Sequence, residues 1–365
     1  MPSMVRAFLC CLIPACWLSA FQGGASEEAR VRLQRGAAHL ERGEKEQALR
    51  VLKEAVALDP QSASGHLLLA QAYLARGSYE VVAEAKAELQ QALALDPKLV
   101  WARFYLAKIQ LDLGRLEKAR EELERGLAER PNVPHFLTLL GEVERRLGNP
   151  ARSLDLCGRA LAADPALTPA HYYLALAYLD LGKEDEARRA LESAVNSRYV
   201  IPEMHVALGS IHVRRGDLGS AEEQFRKAIV LDPSRPEGHV RMAEVHRVRK
   251  AYDSARRELE LAAPEGKRYL ASPYFQAVKA DVLFETARLY GDQGLTEKAL
   301  EAFGKVLEVD PDHGRSHREL AALWAGRGDY PRAAEHARRA EALGFPVDPS
   351  LRQKILEKSA GPKLP

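Results

Sequence analysis

Beyond residue 28 the chain is written in pairs of helical segments. Residues 171–179, HYYLALAYL, carry apolar and aromatic residues at helical spacing. After Gly182, residues 184–194, EDEARRALESA, set Ala187, Leu191 and Ala194 four and three apart among charges. That second pattern is the stripe of an amphipathic helix, and the glycine between the segments marks a turn. The pair then recurs. Pro60, Pro97, Pro131, Pro165, Pro233 and Pro311 each close an apolar helical segment, and Pro97, Pro131 and Pro165 stand 34 residues apart. From Pro165 to Pro233 the interval is 68, with the missing mark at Tyr199, where SRYVIP replaces an Asp-Pro close. A fixed period of this length is the signature of a repeat array.

Aligned on a closing proline at position 32, the units share small residues. Position 8 is Gly36, Ala70, Ala107, Gly141, Ala175, Gly209, Ala243, Ala287 and Ala321. Position 20 is Ala48, Ala85, Ala119, Ala187, Ala221, Ala255, Ala299 and Ala333, with Ser153 the exception. Position 27 is small at Ala55, Ala160, Ala194 and Ala228. Such residues let two antiparallel helices, and the next pair, approach closely. Position 15 is glycine at Gly114, Gly148, Gly182, Gly216, Gly294 and Gly328, ending the first helix where a left-handed residue is wanted.

This pattern resembles the tetratricopeptide repeat, whose L-G/A-x-x-Y…A…[FYL]…A is matched in 168–199 by Leu174, Ala175, Tyr178, Ala187, Leu191 and Ala194. Nine units fit, starting near 29, 63, 100, 134, 168, 202, 236, 280 and 314. The resemblance implies an all-α fold: an α-solenoid, a right-handed superhelix of helix-turn-helix units held by nearest-neighbour contacts. Repeats 1–7 are expected over 29–262, an insertion or joint over 263–279, and repeats 8–9 over 280–347. A capping helix over 348–358 and a disordered tail over 359–365 follow. Three departures stand out. Unit 2 has three extra residues around VVAEA, which lengthen its second helix or the turn before it. Unit 7 has Lys250 where the glycine belongs. Ser272-Pro273 inside the insertion reads as an N-cap and first helical residue, starting the first helix of unit 8 early.

A helix turns about 100° per residue, so the first helix of each unit can be sorted by angle. Positions 4, 7, 8 and 11 point toward the second helix and the neighbouring unit; positions 2, 5, 9, 12 and 13 point the other way. In the family that second face lines a groove that takes extended peptides or partner helices. The expected partner-binding residues are therefore Trp101, Phe104, Lys108, Thr138, Glu142, Arg145, Tyr172 and Asp180, with Asp112 beside them. Exposed aromatic residues interleaved with charges suit protein recognition. Truncating Trp101 or Tyr172 should then weaken partner capture and leave stability nearly intact. Glu203, Arg214, Glu237, Glu244 and Arg247 in units 6 and 7 read as a solvated mixed-charge face. No unit has the Lys/Asn pair at positions 5 and 9 with which chaperone adaptors of the family hold a terminal carboxylate.

Histidines fall at position 4 (His66, His171, His205, His239, His317) and position 11 (His39, His212, His246). A stack repeats along an array, whereas metal ligands must converge on one point, so these read as packing residues and no metal is expected. Phosphate-binding, nucleophile-elbow and HExxH motifs are absent, and no enzyme activity or cofactor is expected.

Composition adds an address. The 53 basic and 51 acidic residues nearly cancel and form no block of one sign, which argues against nucleic acid as a partner. Arg6 precedes the apolar run AFLCCLIPACWLSAF, short for a membrane span and normal for a signal peptide, with cleavage expected after Ala25. Three cysteines lie in this leader, and Cys16 loosely fits a lipidation site; an uncleaved leader is the other route to a membrane. Cys157 alone remains, so no intramolecular disulfide is expected, and its position 24 is a packing slot. The resulting expectation is an exported scaffold or adaptor, periplasmic or extracellular, that binds a peptide segment or helix. The alternative is a noncatalytic accessory subunit of an envelope or polysaccharide-export enzyme complex.

Overall fold

A computed structural model describes residues 27–76, 81–197, 199–263 and 273–359. The leader with its cleavage site and Cys16, Ser272, and residues 360–365 of the expected tail lie outside the described residues. Nineteen helices and no strand occur among the described residues. They run as pairs: α1 (Glu27–Glu41) with α2 (Lys45–Leu58), α3 (Ala63–Arg76) with α4 (Val82–Leu95), α5 (Val100–Asp112) with α6 (Leu116–Glu129). Next come α7 (Pro134–Arg146) with α8 (Pro150–Ala163) and α9 (Thr168–Asp180) with α10 (Glu184–Val195). Then follow α11 (Pro202–Arg214), α12 (Leu218–Leu231), and the pair α13 (Pro236–Val248) and α14 (Tyr252–Ala262). The pairs α15 (Pro273–Asp292) with α16 (Thr296–Val309) and α17 (Gly314–Gly326) with α18 (Tyr330–Ala342) lead to α19 (Pro349–Ser359), which packs on α18. None of them is long and apolar enough to cross a membrane.

The chain divides into two compact units between Met204 and His205, inside α11. The expected joint at 263–279 does not coincide with that division, which comes directly after the SRYVIP departure. The three extra residues of unit 2 do not lengthen α4, which has the same 14 residues as α2; they precede it. Helix α15 starts at Pro273, ahead of the register of the other first helices, and runs 20 residues.

The recurring Asp-Pro has a local cause. Proline lacks an N–H, and the aspartate before it serves the next one along. Asp59, Asp96, Asp164, Asp232 and Asp310 each accept from the backbone N–H two residues on, at 3.0–3.2 Å. Between paired helices, Gly114, Gly148, Gly182, Gly216, Gly294 and Gly328 adopt φ between +70° and +84°, which closes the first helix. Lys250 takes the same conformation, φ 59°, and its successor Ala251 donates to the His246 carbonyl at 2.8 Å. A side chain there costs roughly 1 kcal/mol. Lys250→Gly is therefore expected to stabilise the second unit by about 1 kcal/mol, read as a shift of the urea midpoint; an unchanged or lowered midpoint would refute it.

Second helices bury one stripe, and first helices inside the array such as α3, α5 and α7 bury most of their residues. Helix α6 buries Ala119, Leu123 and Gly126, whereas α5 buries Val100, Ala102 and every residue from Phe104 to Leu111. The difference follows from position: α5 touches α4, α6 and α7, whereas α6 touches α5 and α7.

The position-4 histidines are packed, and they are also braces. His66, His205 and His317 are buried; His171 and His239 are half-buried. Nε2 of His66, His171 and His317 donates to the carbonyl of the proline six residues earlier, at 3.0–3.1 Å. Nδ1 of His66, His205 and His239 meets Glu88, Gln224 and Glu258 on the paired helix at 2.5, 2.7 and 2.7 Å. Arg103 makes the same two links, to Pro97 and Glu122. Among the described residues no three metal-ligating side chains converge. Cys157 is fully buried, and burial pushes its thiol up to about 12.

Candidate partner-binding site

In the first compact unit, the neighbouring first helices α5, α7 and α9 bring the candidate residues together. The structure sorts them into two groups. Phe104 and Thr138 have no exposed surface, Glu142 is 1% exposed, and Lys108 and Tyr172 are each 7% exposed. Trp101 and Arg145 are half-buried and Asp180 is exposed. The expectation that Phe104 and Tyr172 are exposed recognition tips is thus corrected. Angular sorting treats a helix as having one covered face, and α5 and α9 are covered by the preceding second helix and by the first helix α7 as well.

Each buried candidate has a structural occupation. Phe104 lies 5.5 Å from Trp101, 5.7 Å from Tyr105 and 5.3 Å from Phe136, ring centre to ring centre. Thr138 donates to the Pro134 carbonyl at 2.8 Å, a bond within its own helix. Tyr172 stacks obliquely on Tyr173 at 5.5 Å. Trp101 differs. Its ring is held edge-on by Phe104, His135 and Phe136 at 5.5–5.8 Å, and part of it stays open to solvent. An aromatic residue immobilised this way loses little entropy when a partner covers it, which is what makes a good anchor.

A row of charges lies further along the same helices, toward the C-terminal ends of α5, α7 and α9. The buried Glu142 carboxylate accepts from Arg145 at 2.9 Å and from Arg146 at 2.5 Å. Arg145 also donates to Asp180 at 2.9 Å, tying α7 to α9. Burial alone would lower the Arg145 pKa, but Glu142 and Asp180 outweigh it and the net shift is upward. On α5, burial lowers Lys108 to about 8 against the opposing pull of Asp112. Burial raises Asp112, opposed by Lys108 and Arg146. The row is balanced in sign, so it can align a partner's polar groups without favouring one net charge.

Sequence reasoning missed His135, Phe136 and Arg146, although position 13 already pointed to Arg146. It also misread Arg247. That residue is 7% exposed, donates to Asp292 at 2.5 Å and lies 3.5 Å from buried Glu285, so it belongs to an internal ion network instead of a solvated face. Glu285 sits at position 6, where neither angular set of the first helix would have flagged it.

Comparison with known proteins gives the same architecture. Tetratricopeptide repeat models match residues 82–143, 138–200, 172–236, 206–270 and 284–344, and a TPR repeat model matches 36–77. The chain is 27% identical over 147 residues to the TPR repeat-containing protein YpiA of Bacillus subtilis, covering 40% of this chain and 34% of that one. It is 24% identical over 268 residues to cellulose synthase operon protein C of Xanthomonas axonopodis pv. citri, covering 68% of this chain and 17% of that one. The chain thus spans about a third or less of these relatives. A crystal structure of the APC/C hetero-tetramer Cut9-Hcn1 superposes with a TM-score of 0.62 at 14% identity, covering 93% of this chain and 78% of that one. With repeat models matched across most of its length, the chain belongs to the tetratricopeptide repeat family, whose members are protein–protein interaction scaffolds.

Proposed function

We propose that the chain is a noncatalytic scaffold or adaptor that holds a peptide segment or helix of a partner protein against the α5–α7–α9 face of its first unit. The observation that carries this reading is Trp101, half-open and locked among three rings, on helices that also carry a sign-balanced charge row. Truncating such an anchor costs about 2 kcal/mol or more of binding, roughly thirtyfold in affinity. In affinity capture quantified against the same extract, Trp101→Ala should lose the partner that the unaltered chain retains, while the folded chain persists. Equal recovery of that partner by both would sink the proposal.

Export is part of the reading, and it rests on the leader: Arg6, the apolar run to Phe21, and small residues up to Ala25. The N-terminal sequence of chain recovered from the envelope tests it; recovery of intact Met1 from the cytosol alone would count against it. Likeness to cellulose synthase operon protein C favours a second reading, an accessory subunit of an envelope or polysaccharide-export complex. Co-purification of an enzyme whose activity falls when this chain is deleted would select it.

A further inference from the structure

The second compact unit holds a cluster of arginines that the repeat grammar does not require. Glu285 on α15 is 2% exposed, and three guanidiniums approach it: Arg247 at 3.5 Å, Arg288 at 3.4 Å and Arg315 at 3.5 Å. These are longer than the roughly 2.7–2.9 Å of a charge-assisted hydrogen bond. One of its carboxylate oxygens, Oε2, has no hydrogen-bond partner. The buried carboxylate therefore gathers the arginines through one long hydrogen bond, from Arg288 at 3.4 Å, and two ion-pair contacts at 3.5 Å. Asp292 takes Arg247 at 2.5 Å and Glu244 takes Arg241 at 3.2 Å. Arg315 keeps a single ion pair, to Glu285 at 3.5 Å.

Arg315 is also oriented. Its guanidinium lies 4.2 Å from the centre of the Phe284 ring, with Arg288 5.7 Å from the same ring, and its side chain is 30% exposed. Stacking fixes the plane of the donor fork, as recognition of a planar carboxylate requires. Burial lowers the Arg315 pKa, and Arg241 and Arg288 lower it further against Glu285 and Asp281. An additional negative group at the fork relieves that crowding. Beside the cluster, Val206, Val240 and Val278 floor a cavity of about 70 Å³ rimmed by Glu237, Arg241 and Asp281.

We propose that this face of the second unit docks an acidic segment of a partner protein. A carboxylate of the segment spans the forks of Arg315 and Arg288, and a neighbouring aliphatic side chain enters the valine-lined cavity. Glu244, Asp281 and Glu285 lie beside the forks, which sets the site against polyanions and in favour of a single carboxylate. This proposal is independent of the Trp101 surface.

The test is fluorescence anisotropy with the full chain and a labelled short peptide carrying adjacent Leu and Glu in a Ser/Gly background. The same peptide with Gln for Glu is the comparison. The Glu peptide should bind about tenfold more tightly, as expected for a charged hydrogen-bonded pair, and the advantage should shrink at high salt. Arg315→Gln should erase the difference, Arg315→Lys should keep only part of it, and Arg226→Gln, on an exposed arginine of α12, should keep all of it. Thermal unfolding of each variant separates lost docking from lost fold. Equal affinity for both peptides, a preference that survives Arg315→Gln in folded protein, or tight polyphosphate binding without peptide discrimination would overturn the proposal.

Discussion

Replacing Phe104 by alanine is expected to cost about 3–5 kcal/mol, the range for a fully buried aromatic residue. Phe104 has no exposed surface and touches the rings of Trp101, Tyr105 and Phe136. The loss combines the transfer energy of the ring with a cavity that its neighbours close only in part, since Trp101 and Tyr105 are fixed on α5 itself and Phe136 on α7. Repeat arrays are stabilised by neighbour contacts, so the damage should concentrate in α5 to α8. Amide exchange should accelerate there and stay nearly unchanged in α16 to α18. A variant within about 1 kcal/mol of the parent, where substitutions away from such features fall, would place Phe104 on the surface and restore the angular reading.

The second large effect concerns a glycine. In α6 a Cβ built on Gly126 would lie 2.1 Å from Cε1 and 2.8 Å from Cδ1 of Phe136. Phe136 is fully buried between Phe104 and Trp101, with no free space to yield into. Overpacking of this kind costs up to about 3 kcal/mol, and the helix propensity gained by removing a glycine returns about 1. Gly126→Ala should therefore destabilise by about 2 kcal/mol. Gly158, in the next second helix, has nothing within 4 Å of the same added atom. Gly158→Ala should raise stability by up to about 1 kcal/mol. Chemical denaturation of the two variants should give shifts of opposite sign, and shifts of the same sign would refute the packing account.

These two substitutions show where sequence reasoning held and where it stopped. Position 27 was legible as a small-residue slot because every unit needs its second helix close to the next pair. That Gly126 specifically clears room for Phe136 was not legible, because the ring comes from the next repeat and its rotamer depends on Trp101 and Phe104. Likewise, the histidines were readable as packing residues from their recurrence at position 4. Their bonds to Pro60, Pro165 and Pro311 emerge only when the turn and the helix that follows it are folded together.

The candidate site divides along the same line. Trp101, Arg145 and Asp180 could be picked from their register because angle along a helix is a local property. Burial is not local. It depends on what stands on each flank, so Phe104, Lys108, Thr138, Glu142 and Tyr172 passed the angular test and then became buried. By itself, the sequence determined the all-helical repeat, its 34-residue period, the turns and the small-residue slots, since each arises from contacts repeated in nearly every unit. Tertiary structure alone decided which register positions stay open, which charges pair, and that Glu285 draws Arg247, Arg288 and Arg315 around it. Those outcomes depend on side chains from different repeats meeting at one point, and no periodicity along the chain encodes such a meeting.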